Sequence, residues 1–164
     1  MNKAVFLDRD GTINIDTGYV HTPESFTFID GVLEFCREAQ SRGFLLIIIT
    51  NQSGIERGYF TEQEYEQTNR HMLNEFMRHG IAIADVFHCP SLSGPDRKPS
   101  PGLFLKARDK HNIDMAFSIN IGDKERDMEA GRAAGVGTNY LFAGEFPTIN
   151  ELIANRDQNI VHRD

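Results

Sequence analysis

The sequence predicts an α/β protein, a three-layer Rossmann-like sandwich around a central parallel sheet. Three observations carry that expectation. Short runs apolar at every position alternate with segments of helical periodicity, and such runs suit strands buried on both faces. Alternation of strand and helix implies right-handed crossovers, which place helices on both sides of the sheet. Three of the strand candidates end in polar clusters, on the edge where open α/β sheets take their ligands.

Ala4-Val5-Phe6-Leu7 is the first strand, ending in Asp8-Arg9-Asp10. Residues 31–42 are apolar at Val32, Leu33, Phe35, Cys36 and Ala39, a helical stripe that Gly43 is placed to terminate. Phe44-Leu45-Leu46-Ile47-Ile48-Ile49 is the second strand, running into Thr50-Asn51-Gln52-Ser53. Thr61-Glu62-Gln63-Glu64 reads as a capping box opening a long helix that ends near Gly80. Asp85 to His88 is a weaker strand, and Ser100-Pro101 an N-cap with proline at the first helical position. Ser118 to Ile121 is a fourth strand, followed by Gly122-Asp123-Lys124 and a helix over 125–134 closed by Gly135. Asn139 to Phe142 makes a last strand, and Thr148 to Glu151 repeats the capping-box pattern. Segments distant in sequence therefore converge at one sheet edge.

The 164 residues fit a single domain, 1–164, with enough chain to bury a core without staples. Twenty-four acidic against 17 basic side chains give a formal charge of −7. That balance repels nucleic acid and anionic membranes, so neither is expected as a partner. An anionic small molecule would need a local cluster of cations. Cys36 and Cys89 are too few for a disulfide framework and fit a reducing cytoplasm. Charged residues at positions 8–10 interrupt the N-terminal apolar run, against a signal peptide, and the longest apolar run is too short to cross a bilayer. A cytoplasmic monomer is expected.

Asp8 and Asp10 stand two apart at a strand exit, where both carboxylates can face one pocket, and Gly11 permits a tight turn. Alone, the segment could be a solvated loop; a calcium loop lacks its further acidic ligands. The wider set is more specific. Asp8-x-Asp10-Gly11-Thr12, Thr50-Asn51, Lys98-Pro99 and Gly122-Asp123 with Asp127 together resemble the haloacid dehalogenase superfamily. Phe6 to Asn14, Asp16 to Val20, Thr50 to Ile55 and Arg97-Lys98-Pro99 are similar to its heptose 1,7-bisphosphate phosphatase and histidinol-phosphatase branch.

The resemblance implies a magnesium-dependent phosphatase acting on a small phosphorylated metabolite. Asp8 would be the nucleophile that forms an aspartyl-phosphate, and Asp10 the general acid and base. Mg²⁺ would bind Asp8, the Asp10 carbonyl and Asp123. Thr50 and Asn51 would donate to the phosphoryl oxygens, and Lys98 would supply positive charge to that group and to Asp8. A cation about 4 Å from a phosphoryl charge is worth roughly 4 kcal/mol at an effective dielectric of 20, before desolvation. Lys98, Arg97, Lys124 and Mg²⁺ thus form the required cation cluster. Gln52 and Ser53, with Asp16, Thr17, Gly18 and Tyr19 in a flap, would contact substrate, and Arg97 and Lys124 its distal part. Asp127 suits either a first-turn acid favoured by the helix dipole or support for the metal.

No stretch has room for a cap domain: Asp10 to Thr50 already holds a flap, a helix and a strand. An open site is expected. The branch commonly carries a structural zinc on Cys-x-His and Cys-x-Cys pairs, but here those positions read Cys89-Pro90-Ser91 and Gly94-Pro95-Asp96. Zinc needs four ligands, so none is expected, with the loop held by Pro90, Pro95 and Pro99. The branch implies the C7 phosphate of D-glycero-D-manno-heptose 1,7-bisphosphate, a surface glycan precursor, as substrate. Alternatives are histidinol phosphate, a polynucleotide 3′-phosphate, or an inactive binding or scaffold domain.

Overall fold

Six parallel strands form one sheet in the order β3-β2-β1-β4-β5-β6. The computed structural model describes residues 1–156 and 159–162. The elements follow one another as β1 (Lys3–Leu7), α1 (Val32–Ser41), β2 (Phe44–Asn51), α2 (Glu62–Arg78), β3 (Asp85–Cys89), α3 (Gly102–His111), β4 (Ile119–Gly122), α4 (Glu125–Ala133), β5 (Thr138–Leu141), α5 (Ile149–Ala154) and β6 (Asn159–His162). Every strand pair is parallel, the arrangement that doubly apolar runs require.

Strand alternation divides the core into two. Val5, Leu7, Leu46, Ile48, Ile119 and Ile121 point to one face, where α1 contributes Val32, Phe35 and Cys36 and α2 contributes Met72 and Phe76. Ala4, Phe6, Ile47 and Ile49 point to the other, against Leu103, Phe104 and Ala107 of α3 and Ala130 of α4. Helices on both faces make the three layers. Among the described residues no helix is long and apolar enough to cross a membrane.

Local chemistry sets the helix ends. Thr61 Oγ1 accepts from the Glu64 N–H at 3.1 Å while Glu64 Oε1 accepts from the Thr61 N–H at 3.0 Å, so the capping box opens α2 as expected. Thr148 Oγ1 likewise accepts from the Glu151 N–H at 3.1 Å. Ser100-Pro101 behaves differently. Pro101 is itself the cap residue and α3 starts at Gly102, with no side-chain cap. The Gly102 N–H is instead drawn to the Pro95 carbonyl at 2.9 Å, so closely that a Cβ would lie 2.2 Å from that oxygen. A sixth strand, β6, extends the sheet beyond the five the sequence suggested.

This topology positions a site. β1 lies between β2 and β4, where the strand order reverses, and parallel sheets open a crevice at that point. The carboxyl ends of these three strands carry Asp8, Thr50-Asn51 and Asp123.

Candidate active site

The loop after β1 is a tight knot. The N–H groups of Thr12, Ile13 and Asn14 all donate to the Arg9 carbonyl, at 3.2, 2.8 and 3.2 Å, and the Gly11 N–H reaches the Asn14 carbonyl at 2.8 Å. None of these bonds uses the Asp10 carbonyl. Gly11 has φ of +90°, and a Cβ there would lie 2.2 Å from Asp123 Oδ2. The glycine thus meets two demands, a left-handed backbone and close approach to the next strand's carboxylate.

Asp10 sits in a clamp of donors. Arg9 Nε and Nη2 reach its Oδ1 at 3.1 and 2.9 Å, Asn14 Nδ2 reaches the same oxygen at 3.0 Å, and Gln52 Nε2 reaches Oδ2 at 3.0 Å. Arg9 is buried and also donates to the Val20 carbonyl at 2.7 Å, tying the flap to the loop. The same Gln52 nitrogen donates to Thr50 Oγ1 at 2.9 Å. Gln52 therefore links the second strand exit to the first.

Lys98 crosses from the loop after β3 to the centre. Its buried Nζ contacts Asp8 Oδ1 at 2.9 Å, Asp127 Oδ1 at 2.7 Å and the Ile49 carbonyl at 2.7 Å, which uses all three ammonium hydrogens. The Asn51 side chain holds the Lys98 main chain at both groups, Oδ1 accepting from its N–H and Nδ2 donating to its carbonyl, each at 3.1 Å. Asn51 is thereby a splint for Lys98, a use the sequence did not suggest. Burial alone would lower the Lys98 pKa, but Asp127 and Asp8 outweigh it and hold the ammonium above its ordinary 10.5. Asp8 is raised as well, here against its charged form: burial, then the Asp127 charge, lift its carboxyl well above the usual range despite Lys98.

Asp123 and Asp127 flank this pair. Asp127 is buried, and its Oδ2 accepts from the Lys124 N–H at 3.0 Å at the start of α4. With Oδ1 on Lys98, both oxygens are engaged. Asn120 Nδ2 fixes the Asp127 carbonyl at 3.0 Å from within β4. Asp123 Oδ2 meets Lys124 Nζ at 2.9 Å, whereas its buried Oδ1 has no partner among the described residues. Oxygens of Asp8, Asp123 and Asp127 lie within 4.8 Å of one another. An orphaned acceptor beside a charge-raised carboxyl is what a hard divalent cation would satisfy. The donor set thus fits magnesium on Asp8 and Asp123, while Asp127 is committed to Lys98.

These groups floor a cleft of about 290 Å³. Asp8, Asp10, Asp16, Gly18, Tyr19, Asn51, Gln52, Ser53, Arg97, Lys98, Asp123 and Lys124 all line it, as the sequence proposed. Two expected residues do not. Thr17 is exposed outside the lining, because Asp16 Oδ1 accepts the Gly18 N–H at 2.9 Å and the positive φ of Gly18 and Tyr19 turns the flap past it. Thr50 is buried behind Gln52. Arg97 lines the cleft with its Nη1 donating to the Ser91 carbonyl at 3.3 Å. The loop before it carries no zinc-type cluster among the described residues. Cys89 Sγ donates to the Ser91 carbonyl, and Glu56 accepts from the Leu92 N–H.

Three lining residues were missed: Gly54 and Arg57, in the turn after β2, and Arg126, in the first turn of α4. The signal for Arg126 was present, since a cation in a helix's first turn opposes the dipole. Arg57 had no comparable mark.

Residues 12–140 match the model of the haloacid dehalogenase-like hydrolase family. The chain is 50% identical over 161 residues to a D-glycero-alpha-D-manno-heptose-1,7-bisphosphate 7-phosphatase of Campylobacter jejuni, covering 92% of this chain and 94% of the relative. It is 45% identical over 148 residues to the D-glycero-beta-D-manno-heptose-1,7-bisphosphate 7-phosphatase of Escherichia coli K12, covering 84% and 78%. Among solved structures, a D,D-heptose 1,7-bisphosphate phosphatase from B. bronchiseptica complexed with magnesium and phosphate superposes with a TM-score of 0.80. The two are 28% identical, over 85% of this chain and 79% of that one.

Proposed function

The chain belongs to the haloacid dehalogenase-like hydrolase family, and from that premise we propose that it hydrolyses the C7 phosphate of a heptose 1,7-bisphosphate through an aspartyl-phosphate on Asp8. The observation that carries the reading is the floor of the cleft. A largely buried carboxylate meets a buried ammonium at 2.9 Å, with a second acid, Asp10, two residues away in a clamp of donors. The named activity of relatives as similar as 50% over nearly the whole chain supports the substrate.

In this mechanism an Asp8 oxygen attacks phosphorus, the P–O bond to C7 breaks, and the departing oxygen takes its proton from Asp10. Oδ1 of Asp10 accepts three donor contacts, two from Arg9 and one from Asn14, whereas Oδ2 accepts one from Gln52 at 3.0 Å and a longer one from Arg9 at 3.3 Å, so the proton belongs on the less heavily claimed Oδ2. Asp10, then a carboxylate, takes a proton from water as its oxygen attacks the aspartyl-phosphate; the bond to Asp8 breaks and phosphate leaves. Lys98 offsets charge on Asp8 and on the phosphoryl group. Phosphatases of this superfamily generally use Mg²⁺; held by Asp8, Asp123 and the Asp10 carbonyl, it would shield the phosphate from the carboxylates.

We propose one capless domain, monomeric and cytoplasmic, whose free Cys36 and Cys89 suit a reducing compartment, and whose loop before Lys98 holds without zinc. Glu56 and Arg97 grip that loop's main chain at the Leu92 N–H and the Ser91 carbonyl. A panel of phosphate esters compared by kcat/KM tests the function. Heptose 1,7-bisphosphate is expected to exceed histidinol phosphate and a polynucleotide 3′-phosphate at least roughly tenfold, the factor that one well-made contact supplies. Equal, slow turnover of all three would refute the assignment. Metal analysis of protein purified without chelator tests the loop; one equivalent of tightly held zinc would contradict it.

A further inference from the structure

Arg9 is among the largest fully buried side chains of the protein, at 1% exposure, and its Nη1 has no partner among the described residues. Burying a guanidinium with one end unmatched is costly. Its other bonds are few and directed. Nε and Nη2 reach Asp10 Oδ1 at 3.1 and 2.9 Å, and Nη2 reaches Oδ2 at 3.3 Å and the Val20 carbonyl at 2.7 Å. The guanidinium lies 5.9 Å from the centre of the buried Tyr65 ring in α2. One cation therefore joins the second acid of the site to the end of the flap. The flap is itself anchored there. His21, next to Val20, stacks on Phe60 with ring centres 5.0 Å apart and planes 3° from parallel, and its Nδ1 donates to the Tyr19 carbonyl at 2.6 Å. Phe60 is buried, and a Cβ on Gly54 would lie 2.2 Å from its ring.

We infer that Arg9 is a positioning residue, which aims Oδ2 of Asp10 at the leaving oxygen and does so only while the flap lies where the Val20 carbonyl can take its Nη2. A planar fork holds a carboxylate at a fixed angle, which a single point charge does not. With Oδ1 pinned by Nε and Nη2, the carboxyl keeps one orientation, and the less heavily claimed oxygen is the one left for proton transfer. A flap that shifts draws Nη2 with it and turns the acid away. The assignment deepens the function proposed above and rests on Asp10 acting there as general acid.

The experiment uses two esters whose leaving groups differ in their need for a proton. The C7 alkoxide of heptose 1,7-bisphosphate must be protonated as it departs, whereas the phenolate of 4-nitrophenyl phosphate leaves without help. The later step, in which Asp10 takes a proton from water, is common to both and does not enter kcat/KM. The reading is the ratio of kcat/KM for the heptose to that for the aryl ester. Arg9→Ala should lower that ratio by roughly a hundredfold, the low end of what a placed general acid supplies. Arg9→Lys, which keeps the charge and loses the fork, should fall between it and the wild type. His21→Ala frees the flap without touching Arg9 or Asp10 and should lower the ratio in the same direction by less. Losses of equal size on both esters overturn the assignment, because a merely structural residue would give them, and so does an unchanged ratio. An unchanged ratio in His21→Ala alone overturns the tie to the flap. Should Arg9→Ala give no cooperative melt, Arg9→Lys and His21→Ala carry the test. A wild type that cleaves the aryl ester and spares the heptose would sink the substrate proposed above, a separate result, and the ratio is then read with β-glycerophosphate as the alkyl ester.

Discussion

Replacing Asp127 by asparagine separates three roles for this acid. A first-turn acid favoured by the helix dipole is worth about 0.3–1 kcal/mol, and support for a metal would show in metal affinity alone. The structure gives a third role, counter-ion to Lys98 at 2.7 Å with both side chains only 2% exposed. Breaking such a buried pair costs about 3–5 kcal/mol when the remaining charge is stranded. Asp8 still contacts the ammonium at 2.9 Å, and asparagine keeps one acceptor for two donors, so about 2–3 kcal/mol is expected. For a chain of this size that is a fall of about 5–10 °C in Tm. Circular dichroism melts at pH 7 in chelator read it without metal. Linkage gives a second measure. A lysine raised above its ordinary 10.5 contributes stability that is complete below the unfolded pKa and is lost as pH rises through the folded one. Asp127→Asn should therefore flatten the alkaline limb. A loss under about 2 °C with an unchanged limb would refute the counter-ion role.

Asp8→Asn should lower turnover by more than roughly a thousandfold, measured with a generic phosphate ester. Its Tm should hold or rise, because burial and Asp127 oppose the charge removed. Gly11→Ala places a Cβ 2.2 Å from Asp123 Oδ2 at φ of +90°; it should weaken magnesium binding by calorimetry and lower Tm together. Thr61→Ala removes the acceptor for the Glu64 N–H. It should cost about 1 kcal/mol, or about 2–4 °C in a melt, with kcat unaffected.

The fold was legible because its signals are local. Phe44 to Ile49 is apolar without a break, and burial on both faces follows from that alone. Thr61 and Glu64 announced α2 because a capping box is satisfied within four residues. Ser100-Pro101 misled for the matching reason. The Pro95 carbonyl, seven residues before Gly102 in sequence, governs where α3 begins, and no helix-start rule sees so far. β6 is a short strand at the sheet edge, beyond five already assigned.

The site divides along the same line. Identity was readable: carboxylates at strand exits must converge if the strands are parallel neighbours, and Asp8 and Asp123 do lie together. Pairing was not. The family resemblance cast Asn51 as a phosphate donor, yet its amide closes on the Lys98 main chain, 47 residues away. Asp127 read as either a first-turn acid or a support for the metal; its Oδ2 does take the Lys124 N–H in the first turn, but Oδ1 reaches a lysine from another loop. A side chain has a few hydrogen-bonding positions, and sequence shows which it owns without showing who claims them. The claims are settled where loops from several strands compete for one small volume. For that reason the acceptor left unclaimed, Asp123 Oδ1, became visible only after every other partner had been placed. Unclaimed polarity in a cleft is where an ion belongs.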